Sequence, residues 1–362
     1  MIQNNHQHRD LLIVGFGIAG AVLAWNWVKQ FGKTALIVDD CPRSNASRAA
    51  AGILNPVTGK RLVKSWNVDA LLPVARETYR WIERDLDTRF FHDKIIRRLY
   101  QSEEEKNRWF KRSKQAHYQS FLGQTHLPES LSAPIHDELG SFDILGVGNL
   151  DTDTFLDTMI SWATDQELLV KSGFRHEDLQ LYENHVEWNS IHFEQVIFCE
   201  GYQVSKNPWF NWLPFKPAKG EILTIEGLGI NSNLIFSKHK WLLPTGADTC
   251  IAGSTWSWDH LNELPTPQGR SALLQGLRFM LGDTEHLNIV EHRAGIRPCS
   301  HDRFPYLGTH PTEPRLRIFN GFGSKGALIT PLLAKEMSRF LINGTAFNPD
   351  ADIKRVIDRY PS

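Results

Sequence analysis

Three glycines and an acid carry the first chemical signal in this chain. Gly15, Gly17 and Gly20 stand in "LLIVGFGIAGAVLAW", directly after an apolar strand and at the mouth of a helical pattern. Gly15 permits a tight turn, Gly17 lets backbone approach a pyrophosphate, and Gly20 lets helix and strand pack closely. Ile18 and Ala19, between them, would add their N–H groups and the positive end of the helix dipole to the phosphates. Asp39 follows at the end of the next apolar strand, nineteen residues past Gly20. A carboxylate there accepts hydrogen bonds from ribose hydroxyls and repels a 2′-phosphate, which disfavours NADP; Asp40 beside it could share the role. Together these residues predict a dinucleotide cradle. The loop "SNASRAAAGILNPVTGK" (44–60) then wraps something longer than one βαβ unit holds. Its small residues at 49–52 would admit main chain close to a flavin, which favours FAD over NAD.

Other chemistries are poorly represented. No Ser–His–Asp or Cys–His spacing is visible. The four cysteines, Cys41, Cys199, Cys250 and Cys299, form no CxxC pair and read as reduced thiols of a cytosolic enzyme. The Asp151/Asp153 pair reads as helix capping, so no metal is expected. The net charge of −1 gives no basic field for nucleic acid. Lys60, Arg61 and Lys64, and likewise Arg97 and Arg98, read as solvated faces or local phosphate contacts. The start "MIQNNHQHRD" has no apolar signal core, and no run of 18 apolar residues occurs, so a cytoplasmic location and no membrane contact are expected. Asn55, Lys60 and His239 are polar residues worth watching. Trp66, Trp241, Trp256 and Trp258 fall in segments that could line a pocket or simply be core.

The elements that must position these groups follow from periodicity. A strand at 10–15, a helix at 17–31 stopped by Gly32, and a strand at 34–40 make the βαβ opening. Helices are expected at 68–86, 150–166 and 267–281. Residues 102–115 read as a charged helix or a solvated turn with a surface acid run. Strands are expected near 94–100, within 167–182 and 184–199, and as an antiparallel set at 216–227, 233–246 and 249–258. A strand at 316–323 precedes a last helix opened by Thr330–Pro331 and ended at 343–345. This order predicts an α/β fold: a Rossmann-like FAD-binding domain interleaved with an α+β substrate domain built on an antiparallel sheet. The expected boundaries are 8–70, 146–212 and 286–350 for the first, and 71–145 and 213–285 for the second.

In order along the chain, "GFGIAG", Asp39, "SRAAAGILNP", "VIFCEG", "KPAKGEI" and "GIRPCSHDRFPYLG…FNGFGSKGALITP" resemble the D-amino acid oxidase/glycine oxidase superfamily, over about residues 10–345. The closing "FGSKGALITPLLAKE" is also similar to the C-terminal oxidase half of the bifunctional tRNA methylaminomethyl-uridine enzyme. The resemblance implies noncovalent, extended FAD. Its ADP half would lie on Gly15–Gly20 and Asp39. Its ring would lie near Arg48, Ala49, Ala50, Gly52, Ile53 and Leu54. Phe174, at the end of a strand from Lys171, would pass the adenine, and Gly201 would close under the cofactor. Gly321, Gly323, Ser324, Lys325 and Gly326 would bring N–H groups to the flavin N1/O2 edge, where reduction places negative charge. Lys325 would add a full charge there, or would be a surface lysine.

The resemblance also implies that Arg297 clamps a substrate carboxylate at the cofactor; the alternative is an ion pair with Asp302 or Glu291. Trp241 would wall the pocket. Ser324 stands where glycine oxidase carries a second arginine, which puts glycine itself in question. Cys299 lacks the spacing of a covalent flavin link and reads as apolar filler. The implied reaction is oxidation of a carboxylate-bearing primary or secondary amine by hydride transfer to flavin N5, with the imine then hydrolysed. Electrons would pass to oxygen or another acceptor. A flavin oxidase acting on a modified tRNA wobble uridine is the alternative.

Overall fold

The computed structural model describes residues 8–42, 45–132, 134–230, 233–246 and 248–357. Ser44, which opens the expected cofactor loop, and residues 1–7 of the N-terminal stretch lie outside them. The chain forms two compact units. The first takes the residues up to Ser47, Asp153–Ala218, and those from Ile296 on; the second takes Arg48–Thr152 and Lys219–Gly295. The divisions therefore fall at 47/48, 152/153, 218/219 and 295/296, and not at the expected boundaries. The loop after Ser47 packs with the second unit because it pairs with the strand Ser141–Leu150.

The first unit is a sheet with five parallel strands in the order Leu169–Lys171, Ala35–Asp39, His8–Val14, Ile191–Phe198 and Leu316–Asn320. Tyr306–Thr309 adds an antiparallel edge. The run Leu11–Val14 is buried throughout, as a strand covered on both faces must be. On one side Leu12, Val14, Leu36, Val38 and Phe198 join Phe210, Tyr306 and Ile353 in one core. Elsewhere in the unit the helix Ile18–Trp25 packs on the helix Gly326–Asn343. The opening helix is shorter than expected. It ends in a π turn at Asn26–Gln30, where Phe31 N–H reaches back to Asn26 O, before Gly32 turns the chain at φ +62°. The last helix starts five residues before Pro331. Its first turn is closed by Thr330 Oγ1 donating to Gly326 O at 2.9 Å, so the proline forfeits only an early intrahelical bond.

The second unit is a nine-stranded, mainly antiparallel sheet. Leu223, Ile225, Leu242 and Ala252 face Leu273, Leu277 and Met280 of the helix Pro267–Leu281, which Thr266 caps by accepting from Gly269 N–H at 3.0 Å. The last strand of the expected set stops at Gly253; beyond it Thr255 N–H bonds Glu221 O and Ser257 bridges to Lys219. Residues 103–113 are a helix, and its acid run is not all surface. Glu105 is buried and bonds Arg98 Nε and Nη2 at 2.9 and 2.6 Å. Arg97 likewise bonds Asp143 at 2.6 Å. Neither arginine is a solvated face or phosphate contact, because each is neutralised inside its own unit.

Gly52 shows how tightly the loop of this unit is set. A Cβ there would lie 1.9 Å from Leu150 O, and the residue sits at φ +62°. We expect Gly52→Ala to lower unfolding stability by about 2–4 kcal/mol in denaturant titration.

Candidate functional site

In the first unit the strand His8–Val14 runs into Gly15, whose N–H continues the pairing to Val38 O at 2.9 Å. Cβ atoms at Gly15 and Gly20 would lie 2.6 Å from Cys199 O and 1.9 Å from Gly15 O, so only glycine lets turn, helix and neighbouring strand meet. Gly17 begins the helix without a side-chain cap of its own. Ser47 supplies one: its Oγ accepts Ile18 N–H at 3.1 Å and lies 2.8 Å from where a Gly17 Cβ would stand. Among the described residues, the N–H groups of Ala19 and Gly20 have no partner. Two unspent donors at a helix N-terminus fit an anionic group such as a pyrophosphate.

Asp39 ends the adjoining strand. Its Oδ2 accepts Phe16 N–H at 2.6 Å and its Oδ1 accepts Cys41 N–H at 2.5 Å. Burial pushes its carboxyl pKa up, against the lowering effect of those two N–H groups. Each oxygen keeps a second lone pair, which fits ribose hydroxyls. Asp40 is exposed. Phe174 lies beyond the strand Leu169–Lys171 and stacks on Trp188 at 6.0 Å, in a cluster with His176 and Phe198.

Gly201 and the last turn are tied together by a residue that carries no signal in the sequence. Buried Asn320 donates from Nδ2 to Gly201 O at 2.8 Å and accepts Gly321 N–H on Oδ1 at 2.8 Å. Gly321 and Gly323 take φ of +81° and +56°, and Gly323 N–H donates to Pro298 O at 3.2 Å. Phe322 bridges to Cys299, whose Sγ faces Gly323. The N–H groups of Ser324 and Gly326 have no partner among the described residues. Ser324 is exposed, whereas Lys325 is half-buried. Burial, then the Arg303 cation, lowers the Lys325 pKa. Lys325 is therefore not a plain surface lysine.

Arg297 ends the strand Asn288–Arg297, half-buried, and burial lowers its pKa from the usual arginine value. Its two alternative partners are committed elsewhere. Asp302 holds Arg355 Nε at 2.8 Å, and Glu291 lies 3.2 Å from Arg293 Nε.

In the second unit the loop 48–54 is fixed through its carbonyls. Arg293 Nη1 donates to Arg48 O at 3.0 Å, Thr152 Oγ1 to Ala50 O at 3.0 Å, and Asn149 Nδ2 to Ala51 O at 2.7 Å. Leu150 N–H donates to Gly52 O at 2.9 Å. Ala49 lies within this pinned stretch, and Ile53 and Leu54 pair with Asn149 and Gly148. Trp241 packs over Gly253 and Ile222, on the sheet face opposite the helix-covered one. Lys60 and His239 meet on an open cavity of about 450 Å³ with Arg61, Gln101, Ser102, Glu105 and Arg108. Asn55 instead builds a turn by accepting Val57 N–H at 3.1 Å. Trp256 and Trp258 are 45% and 54% exposed and lie edge to face, 6.2 Å apart.

A parallel sheet with a glycine turn, joined to an antiparallel sheet unit, defines a flavoenzyme-type architecture. The family description "FAD dependent oxidoreductase" (DAO) matches residues 10–340, and the chain belongs to that family. FAD is the family's cofactor, and the unspent amides and Asp39 described above fit it. A glycine oxidase from Bacillus licheniformis is 29% identical over 129 residues, 35% of each chain. The bifunctional protein ThiO/ThiG of Trichormus variabilis is 24% identical over 362 residues, 92% of this chain and 53% of its own length. The matches thus span about a third to about half of these relatives' length. The crystal structure of iminodiacetate oxidase from Chelativorans sp. BNC1 shares the fold, with TM-score 0.75, 20% identity, and coverage of 97% of this chain and 98% of that one. Among the described residues, no helix is long and apolar enough to cross a membrane.

Two outcomes follow. Gly17→Val would drive a branched side chain into Ser47 and the helix mouth, and the purified variant should be colourless, while wild-type protein should carry yellow flavin absorbance. Asp302→Asn removes the charged partner of Arg355. Burial alone would raise the Asp302 pKa, but the Arg355 hydrogen bonds, assisted by Phe304 N–H, lower it overall. Its stabilisation is therefore present above the unfolded carboxyl pKa and lost as pH falls through the folded one. The variant should melt earlier at pH 7, by about 1–2 kcal/mol, with the gap closing on acidification.

Proposed function

We propose that this chain oxidises a carboxylate-bearing primary or secondary amine, using FAD as the two-electron acceptor and delivering electrons to oxygen or another acceptor. The carrying observation is Arg297. It is a half-buried guanidinium two residues from Cys299, and Cys299 bridges to Phe322 in the last turn. Partial burial strengthens the attraction between a cation and an arriving anion, and the planar fork of arginine suits a carboxylate held bidentately. The carboxylates of Asp302 and Glu291 serve Arg355 and Arg293. The similarity to a glycine oxidase and the fold shared with an iminodiacetate oxidase support the same substrate class.

The chain's own groups fit the demands of such chemistry. Arg297, Lys325 and Arg303 make the surroundings of the last turn positive. That charge disfavours a substrate ammonium and favours the neutral amine that oxidation requires. The amides of Ser324 and Gly326 and the Lys325 cation would hold negative charge at the flavin's pyrimidine edge. The cofactor supplies the electron chemistry; the protein supplies position and charge, and no general base is needed. Ser324 leaves one guanidinium where glycine oxidase has two, which favours an amine other than glycine.

The test is Arg297→Met. It should keep FAD bound and weaken kcat/KM for carboxylated amines by about 1.5–3 kcal/mol, with little effect on amines lacking a carboxylate. Equal kinetics on both classes, in wild type and variant alike, would remove the clamp.

A further inference from the structure

We propose that the edge hairpin of the first unit binds a divalent transition-metal ion, Zn2+, through His185, Glu187 and His192. The strand Val186–Trp188 pairs antiparallel with Ile191–Phe198, and Glu187 stands directly opposite His192. His185, two residues before Glu187, projects to the same face. The ligand atoms of all three lie within 4.8 Å of one another. Glu187 Oε2 and His192 Nε2 are already 3.3 Å apart. Tetrahedral bonds of ~2.1 Å place ligand atoms about 3.4 Å apart, so the Glu187–His192 pair already has that spacing and His185 lies near it.

The surroundings prepare the histidines as ligands. Asn184 Oδ1 lies 2.7 Å from His185 Nδ1, which fixes the proton there and leaves the Nε2 lone pair outward. Tyr182 stacks on the His185 ring at 4.5 Å and 7°, holding its plane. The Arg315 guanidinium is turned onto Glu183 O and Glu194 O. Two imidazoles and one carboxylate suit zinc and disfavour magnesium or calcium. His8 stands beside His192 on the next strand, in parallel register, and is a side chain of the right type for a fourth position.

This site is separate from the flavin cradle. His8 begins the strand that ends at Val14, so the ion would sit about 20 Å along the sheet from the glycine turn. Its role would be to clamp the edge hairpin to the parallel sheet. The sequence alone conceals it, because residues 185, 187 and 192 meet only through the hairpin register.

The test uses untagged full-length protein stripped with chelator and titrated with Zn2+ against a chromophoric competitor. One equivalent should bind at micromolar concentration or tighter, Co2+ should give the intense visible bands of a four-coordinate site, and Zn2+ should raise the melting temperature. His185→Ala/His192→Ala should lose at least tenfold in affinity, together with the cobalt bands and the melting shift, while keeping its FAD absorbance. His192→Gln, which keeps a polar partner for Glu187, covers the case of a misfolded double variant and should show the same losses. No equivalent bound at micromolar zinc, or equal uptake by wild type and His192→Gln, would overturn the proposal.

Discussion

The approach of backbone to backbone at the first turn governs the nucleotide unit. Gly15, Gly20 and Cys199 lie so close that a methyl group at either glycine would meet a carbonyl oxygen at 2.6 Å or less. That contact brings the helix N-terminus to the carboxyl ends of the parallel strands, where Asp39 also stands. The helix mouth, the Asp39 strand end and the packed core therefore depend on one close approach. A bulkier residue would cost both stability and cofactor.

A second device recurs in each unit: irregular backbone held by side-chain donors and acceptors. In the second unit the loop 48–54 has four carbonyls taken by Arg293, Thr152, Asn149 and Leu150 N–H. In the first, Asn320 joins Gly201 to Gly321. The glycines alone would permit such turns; the pins select them.

The helices 68–86 and 267–281 are legible in the sequence to the residue, because amphipathic period and terminal residues agree there. The last helix is not, because Pro331 suits a first position while the true start depends on the glycine turn before it. Arg98 and Glu105 look like surface charges because their pairing is invisible in composition. The glycine turn and the strand ending at Asp39 are legible because a strand running through a tight turn into a helix imposes spacing on sequence. The pins are not, since Arg293 reaches across 245 residues and Asn320 across 119. Ser47 has a local signal in retrospect, as a hydroxyl in the small-residue loop that follows the acid.

The most direct measurement is FAD binding by apoprotein, followed by quenching of flavin fluorescence, with ADP, FMN and NADP as competitors. One FAD should bind per chain, displaced by ADP but not by FMN or NADP, because the glycine turn and Asp39 hold the adenosine end. Displacement by FMN with no effect of ADP would contradict that placement.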